Sequence, residues 1–227
     1  MLYQKKLLIF LLLIIFIIIG SVSIYFYLQK QTQEKEFEQI KNFLAEINEV
    51  INLMDAIKSE MPKELLETHE YLMSGALGGK LHRTNPKLKD QIMYHGAKTK
   101  SIYINPDIKM KKELWIPVLY HEVAHNYWHT QNPVETLEEF EAQLFNSENY
   151  AYSVQSQAFI LIWRHYLINR EELKIEFEQK LFDSYNGEAG VYFEMIKDNP
   201  EAEEVWRKII EVNLKEQKKQ QKVLFEK

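Results

Sequence analysis

A mainly α-helical chain with a small β element, set behind an N-terminal transmembrane helix, is the fold class that three observations predict. An uncharged apolar run opens the chain. Nearly everything after Pro106 carries helical periodicity. Two short β-rich segments, 91–95 and 99–105, are the extended stretches between them.

The opening run, Leu7 to Leu28 (LLIFLLLIIFIIIGSVSIYFYL), contains no charged residue. At 1.5 Å per residue it is about 33 Å long, enough to cross a bilayer core of roughly 30 Å. Lys5 and Lys6 precede it, while Lys30 and Lys35 are offset by Glu34 and Glu36 after it. The positive-inside rule then makes residues 1–30 a single-pass membrane anchor with a cytoplasmic N-terminus and an extracytoplasmic remainder. The small residues Ser21, Val22 and Ser23 offer the alternative of a cleaved signal and secretion. Residues 31–60 follow as an amphipathic stalk or packing helix. Phe37, Ile40, Leu44, Ile47, Ile51 and Met54 alternate by three and four, a seam that could serve a homodimer through 37–54 or pack on the chain's own domain.

Residues 61–227 form the remaining domain. Pro62 suits the start of a helix reaching about Met73, and 74–80 (SGALGGK) reads as a loop. After the two strands, helices are expected at about 111–131, 135–168, 170–184 and 198–224. Asn132-Pro133 separates the first two, and Asn186-Gly187 with Gly190 marks a later loop. The aromatic run 159–167 (FILIWRHYL) reads as core, and the charged C-terminal stretch as a solvated helix end.

Composition removes several function classes. The 227 residues carry a formal charge of −5, so no basic footprint points to nucleic acid. Cysteine is absent, which excludes disulfides, a thiolate nucleophile and cysteine-ligated zinc. Hydrophobic residues make up 46%, enough for a packed core.

The chemistry-bearing stretch is LYHEVAHNYWH, Leu119 to His129. On a helix, His121 and His125 share one face a turn apart and can aim two imidazoles at one ion. Zn²⁺ accepts such nitrogens, and a catalytic site adds a third protein ligand and water. Glu122, beside the first histidine, suits a general base rather than a ligand. The flanking LWIPVLY and the residues Val123, Ala124, Tyr127 and Trp128 are uncharged, so the helix reads as buried, where two histidines and a glutamate need partners. His129 lies another turn along, about 12 Å from His121, too far to share the ion.

Two glutamates compete as third ligand. Counting along a helical hairpin that turns near residue 133 places Glu141 level with His125, with Glu148 about 10 Å further on. The sequence also resembles the gluzincin metallopeptidases: His-Glu-Val-Ala-His is followed by Glu148-Asn149-Tyr150-Ala151-Tyr152, similar to the Glu-x-x-Ala-Asp of that family. The resemblance spans about 99–160 and implies a compact zincin-like helical domain with Glu148 as third zinc ligand. Tyr152 stands where the family's ligand-steadying Asp would be, and Glu141 remains an alternative ligand or cleft residue. It further implies that the strand around Ile102, Tyr103 and Ile104 holds a peptide or protein substrate in extended form, and that a Tyr or His among Tyr152, His165, Tyr185 and Tyr192 serves the oxyanion. The expected function is an anchored zinc metallopeptidase. The alternative is a zinc-binding but non-catalytic binding or regulatory module.

Overall fold

The computed structural model describes residues 2–78, 80–83, 91–105, 107–166, 173 and 176–225, with side chains from residue 20 onward apart from residues 36, 83, 216, 217 and 219–225. It is mainly helical with one small sheet. In chain order the elements are α1 (Leu2–Ala56), α2 (Lys63–Met73), β1 (Leu81–Arg83), β2 (Met93–Gly96), β3 (Ser101–Ile104), α3 (Lys112–Gln131), α4 (Leu137–Tyr166), α5 (Glu176–Met195) and α6 (Pro200–Phe225).

The expected transmembrane helix is corrected. Among the described residues no helix is long and apolar enough to cross a membrane. The backbone of α1 is one helix throughout, but the apolar stretch on its described part, Ser21 to Leu28, runs directly into Gln29, Lys30 and the polar residues that follow. The part of Leu7–Leu28 before Gly20 lies outside the described side chains. The lipid-bilayer contact and the extracytoplasmic placement, anchored or secreted, depended on that span and are not retained.

From Ile40 onward α1 is a packing helix. Ile40, Phe43, Ile47, Val50, Ile51 and Met54 are buried, and α1 lies on α3 with the Phe43 and Trp115 rings edge-to-face at 4.5 Å. Most of the seam that could have served a homodimer through 37–54 is therefore turned into the chain itself, while Phe37 at its start is 68% exposed.

Local chemistry sets the helix boundaries that matter for the site. Glu178 of α5 accepts the Lys111 N–H at 2.7 Å, placing a carboxylate where α3 presents its unpaired N–H groups. Thr136 and Glu139 form a reciprocal cap on α4: Thr136 Oγ1 accepts the Glu139 N–H, and Glu139 Oε2 accepts those of Glu135 and Thr136. Asn199 Oδ1 caps α6 ahead of Pro200. The loop expected at Asn186-Gly187 and Gly190 lies inside α5. Its buried stripe of Phe182, Tyr185, Ala189 and Tyr192 continues through both glycines, and tertiary packing overrides their poor helix propensity.

The sheet has the order β1-β3-β2, with β3 parallel to β1 and antiparallel to β2. β1 is a strand the sequence did not announce. Its pairing corrects the expectation for Ile102, Tyr103 and Ile104, which occupy the central strand between two partners. Their backbone groups are used on both sides, so no substrate strand can add there. Asn126 of α3 locks the sheet against the helix: its Nδ2 donates to the Lys100 carbonyl at 2.6 Å, while its Oδ1 accepts from Tyr71 Oη at 2.6 Å. Lys100 holds the β2–β3 turn in the left-handed region, at φ 50°.

Candidate metal centre

Helices α3 and α4 build the site between them. His121 and His125 are 7% and 3% exposed, and Glu148, facing them from α4, is fully buried. His125 Nε2 lies 3.2 Å from His121 Nε2 and 2.9 Å from Glu148 Oε1, and His121 Nε2 lies 3.9 Å from Glu148 Oε2. One ligand atom from each of the three falls within 4.8 Å of the others. Two nitrogens bonded tetrahedrally to zinc at 2.0–2.1 Å would stand roughly 3.3 Å apart, so the donor set fits such an ion. The alternative glutamate does not join it: Glu141 is on the solvent side of α4, 3.9 Å from Lys218 Nζ.

The electrostatics match. Burial pulls both imidazoles down to about 3; for His121 the neighbouring His125 adds to this, while Glu148 and a hydrogen bond with the Gln155 side chain oppose it. Both rings are thus neutral at ordinary pH, the form that ligates. Of the supporting groups, Ser147 and His95 are ones the sequence reading missed. His125 Nδ1 lies 2.7 Å from Ser147 Oγ; with Nδ1–H donating there, Nε2 is left bare. Ser147 Oγ also lies 3.4 Å from His129 Nε2, which places His129 behind the ligands, and burial pulls its ring down to about 4. His95 of β2 stacks on both His125 and His129, ring centroids 5.9 and 5.4 Å apart. No spacing rule links a strand histidine 26 residues upstream to the motif; only the β2–α3 contact reveals it.

Glu122 is 6% exposed. Burial and then the charge of Glu148 push its carboxyl well above the ordinary value, opposed by a hydrogen bond from the His95 backbone. That bond fixes the orientation of β2. Asn105 N–H donates to the Ile92 carbonyl across the β2–β3 pair, and antiparallel alternation then turns the backbone groups of Met93 and His95 away from β3, towards the motif helix.

Tyr152 packs its ring edge-to-face on His121 at 4.7 Å, but its hydroxyl accepts a hydrogen bond from Asn213 of α6. It therefore touches the ligand without standing in for the carboxylate expected at that position. Of the other aromatic candidates, Tyr192 hydrogen-bonds Ser153 and Gln157, and His165 lies beside Glu60 near the surface. Among the described residues the buried Tyr185 hydroxyl has no hydrogen-bond partner, and burial, then the charges of Glu188 and Glu122, act on it.

No protein-family model, no curated protein and no solved structure matches the chain. What the site can do is carried by its own geometry.

Proposed function

We propose that the chain is a zinc-dependent hydrolase of peptide bonds. The observation that carries this reading is the convergence of two neutral imidazoles and one carboxylate, with a second carboxyl, Glu122, adjoining them on the same helix. When bound, zinc supplies Lewis-acid polarisation of a carbonyl and a lowered pKa for attacking water. His121, His125 and Glu148 are the residues that would hold it. Glu122, whose carboxyl burial and the charge of Glu148 push above the ordinary value, takes a proton and returns it to the leaving amine. Tyr185 offers a hydroxyl donor for the developing oxyanion.

A second reading, a zinc site that binds but does not turn over, is favoured by one specific observation: the ligand set and Glu122 are all at most 7% exposed. The Glu122→Gln variant separates the two. On the hydrolase reading it keeps about one zinc per chain and loses peptide hydrolysis by on the order of 10²–10⁴-fold. Full activity in that variant, or no turnover of a diverse peptide library by the zinc-loaded wild type, would remove the hydrolase reading.

A further inference from the structure

His125 and His129 of α3 and Ser147 of α4 are at most 3% exposed, so their polar atoms find their partners inside the protein. Two ring nitrogens meet at one hydroxyl: His125 Nδ1 lies 2.7 Å and His129 Nε2 3.4 Å from Ser147 Oγ. A serine hydroxyl has one proton to give, and a neutral imidazole carries one proton on one of its two nitrogens. Were both facing nitrogens bare, the hydroxyl could serve only one of them. Were both N–H, the hydroxyl proton would be left over. All three groups are satisfied when one nitrogen gives and the other takes. The far side of His129 decides which. Its Nδ1 lies 3.4 Å from the Asn132 carbonyl oxygen, which only accepts. His129 therefore carries its proton on Nδ1, its Nε2 takes the Ser147 proton, and Ser147 Oγ in turn takes the proton of His125 Nδ1.

The end of the helix makes that carbonyl available. Asn132 precedes Pro133, leaves the helix at φ −126° and ψ 74°, and is held on the Trp128 carbonyl by its N–H at 2.8 Å and its side-chain amide at 3.1 Å. In a continuing helix its carbonyl would accept the N–H of Thr136, but that N–H goes to Glu139. We propose that His129, acting through Ser147, is a positioning residue for His125: the relay from the Asn132 carbonyl keeps the His125 proton on Nδ1 and turns a bare Nε2 towards the metal. The inference rests on the metal-centre reading above. Its purpose follows from Glu148, whose Oε1 stands 2.9 Å from His125 Nε2. An imidazole beside a carboxylate would otherwise hold its proton on Nε2, facing that oxygen and blocking the ion. The third histidine of the motif helix, one turn too far along to ligate, thereby gains a role.

Two measurements on the full chain test this. One is zinc affinity by chelator competition at pH 8. The other is the ring-nitrogen NMR shifts of isotopically labelled histidines in the metal-free protein, which separate the Nδ1–H from the Nε2–H tautomer. In the wild type His125 and His129 are both Nδ1–H. His129→Phe keeps a ring and removes the acceptor; it moves the His125 proton to Nε2 and weakens zinc binding about tenfold. A histidine that only packed would leave the His125 tautomer where it was. Ser147→Ala weakens zinc binding on the order of 10–100-fold, and adding His129→Phe to it weakens binding no further, because the two act in series. An Nε2–H His125 in the metal-free wild type overturns the proposal. So does wild-type zinc affinity in a folded His129→Phe variant, or losses that add in the double variant. Should His129→Phe not fold, the wild-type tautomer decides alone. A wild-type chain that takes up no zinc removes the metal-centre reading and this one together. Uptake abolished by His125→Ala but untouched by His129→Phe removes only this one.

Discussion

His121 and His125 sit one helical turn apart and need only α3 to be brought together, which is why they were legible in the sequence. Their third partner, Glu148, was legible only through the resemblance and not by counting, because its position depends on where the chain reverses. The counting that favoured Glu141 put the reversal near residue 133. The contacts of His125 with Ser147 and of His121 with Tyr152 centre it near residue 136, just where the Thr136–Glu139 cap starts α4. A shift of about three residues in a hairpin moves the facing position by about six, from 141 to about 147, and that brings Glu148 opposite the histidines. The four-residue pattern Glu-x-x-Ala singled out the glutamate that lies beside the two histidines, where distance counting did not. Glu148→Ala should therefore lose stoichiometric zinc, and Glu141→Ala should keep it with little change in stability. Metal content measured on the two purified variants decides this, and zinc lost from Glu141→Ala but not from Glu148→Ala would reverse the assignment.

At the scale of elements, strong periodicity was read well and isolated short segments were not. β1 has three residues and no alternating run to announce it; it exists because β3 offers an open edge, and its presence turns β3 from an edge into a centre. The glycines of α5 suggested a loop, yet neither would carry a Cβ into any neighbour, so the helix runs through them at the usual propensity cost. The seam of α1 told of burial without saying against what. Its buried positions put a definite number on the element: Ile47→Ala or Met54→Ala, both at 0% exposure, should each cost about 2–5 kcal/mol, whereas Phe37→Ala should stay within about 0.5 kcal/mol. Urea unfolding of the three variants gives the comparison. Equal losses at positions 37 and 47 would mean that Phe37 is covered in solution by something outside the chain.

The whole molecule carries an electrostatic load centred on the His121, His125 and Glu148 cluster, and its pH dependence follows. Burial pulls His121 and His125 to about 3 and His129 to about 4, from an ordinary 6.5. Below pH 6.5 the unfolded chain takes up protons that the folded chain refuses, so these groups leave stability intact above 6.5 and remove it as pH falls towards 3–4, each at up to about 1.4 kcal/mol per pH unit. Glu188 works the other way. Its carboxyl stands at about 7 against an ordinary 4.5, so the folded chain keeps a proton that the unfolded chain gives up, and stability is lost as pH rises from 4.5 to 7, by about 3 kcal/mol. Glu122, also raised, acts in the same direction. In the metal-free protein the two sets oppose one another between pH 4.5 and 6.5, and only the histidines act below that. Stability should therefore change gently between pH 7 and 5 and fall steeply below 4.5. Removing the Glu188 load in Glu188→Gln should raise stability at pH 8 by up to about 3 kcal/mol and make the acid loss begin nearer pH 6.5. Urea unfolding of chelator-treated wild type and Glu188→Gln at pH 8, 6, 5 and 4 resolves both slopes. A wild type as stable at pH 4 as at pH 6 would mean that the three histidines are hydrated, and the neutral, inward-facing donor set would lose its physical basis.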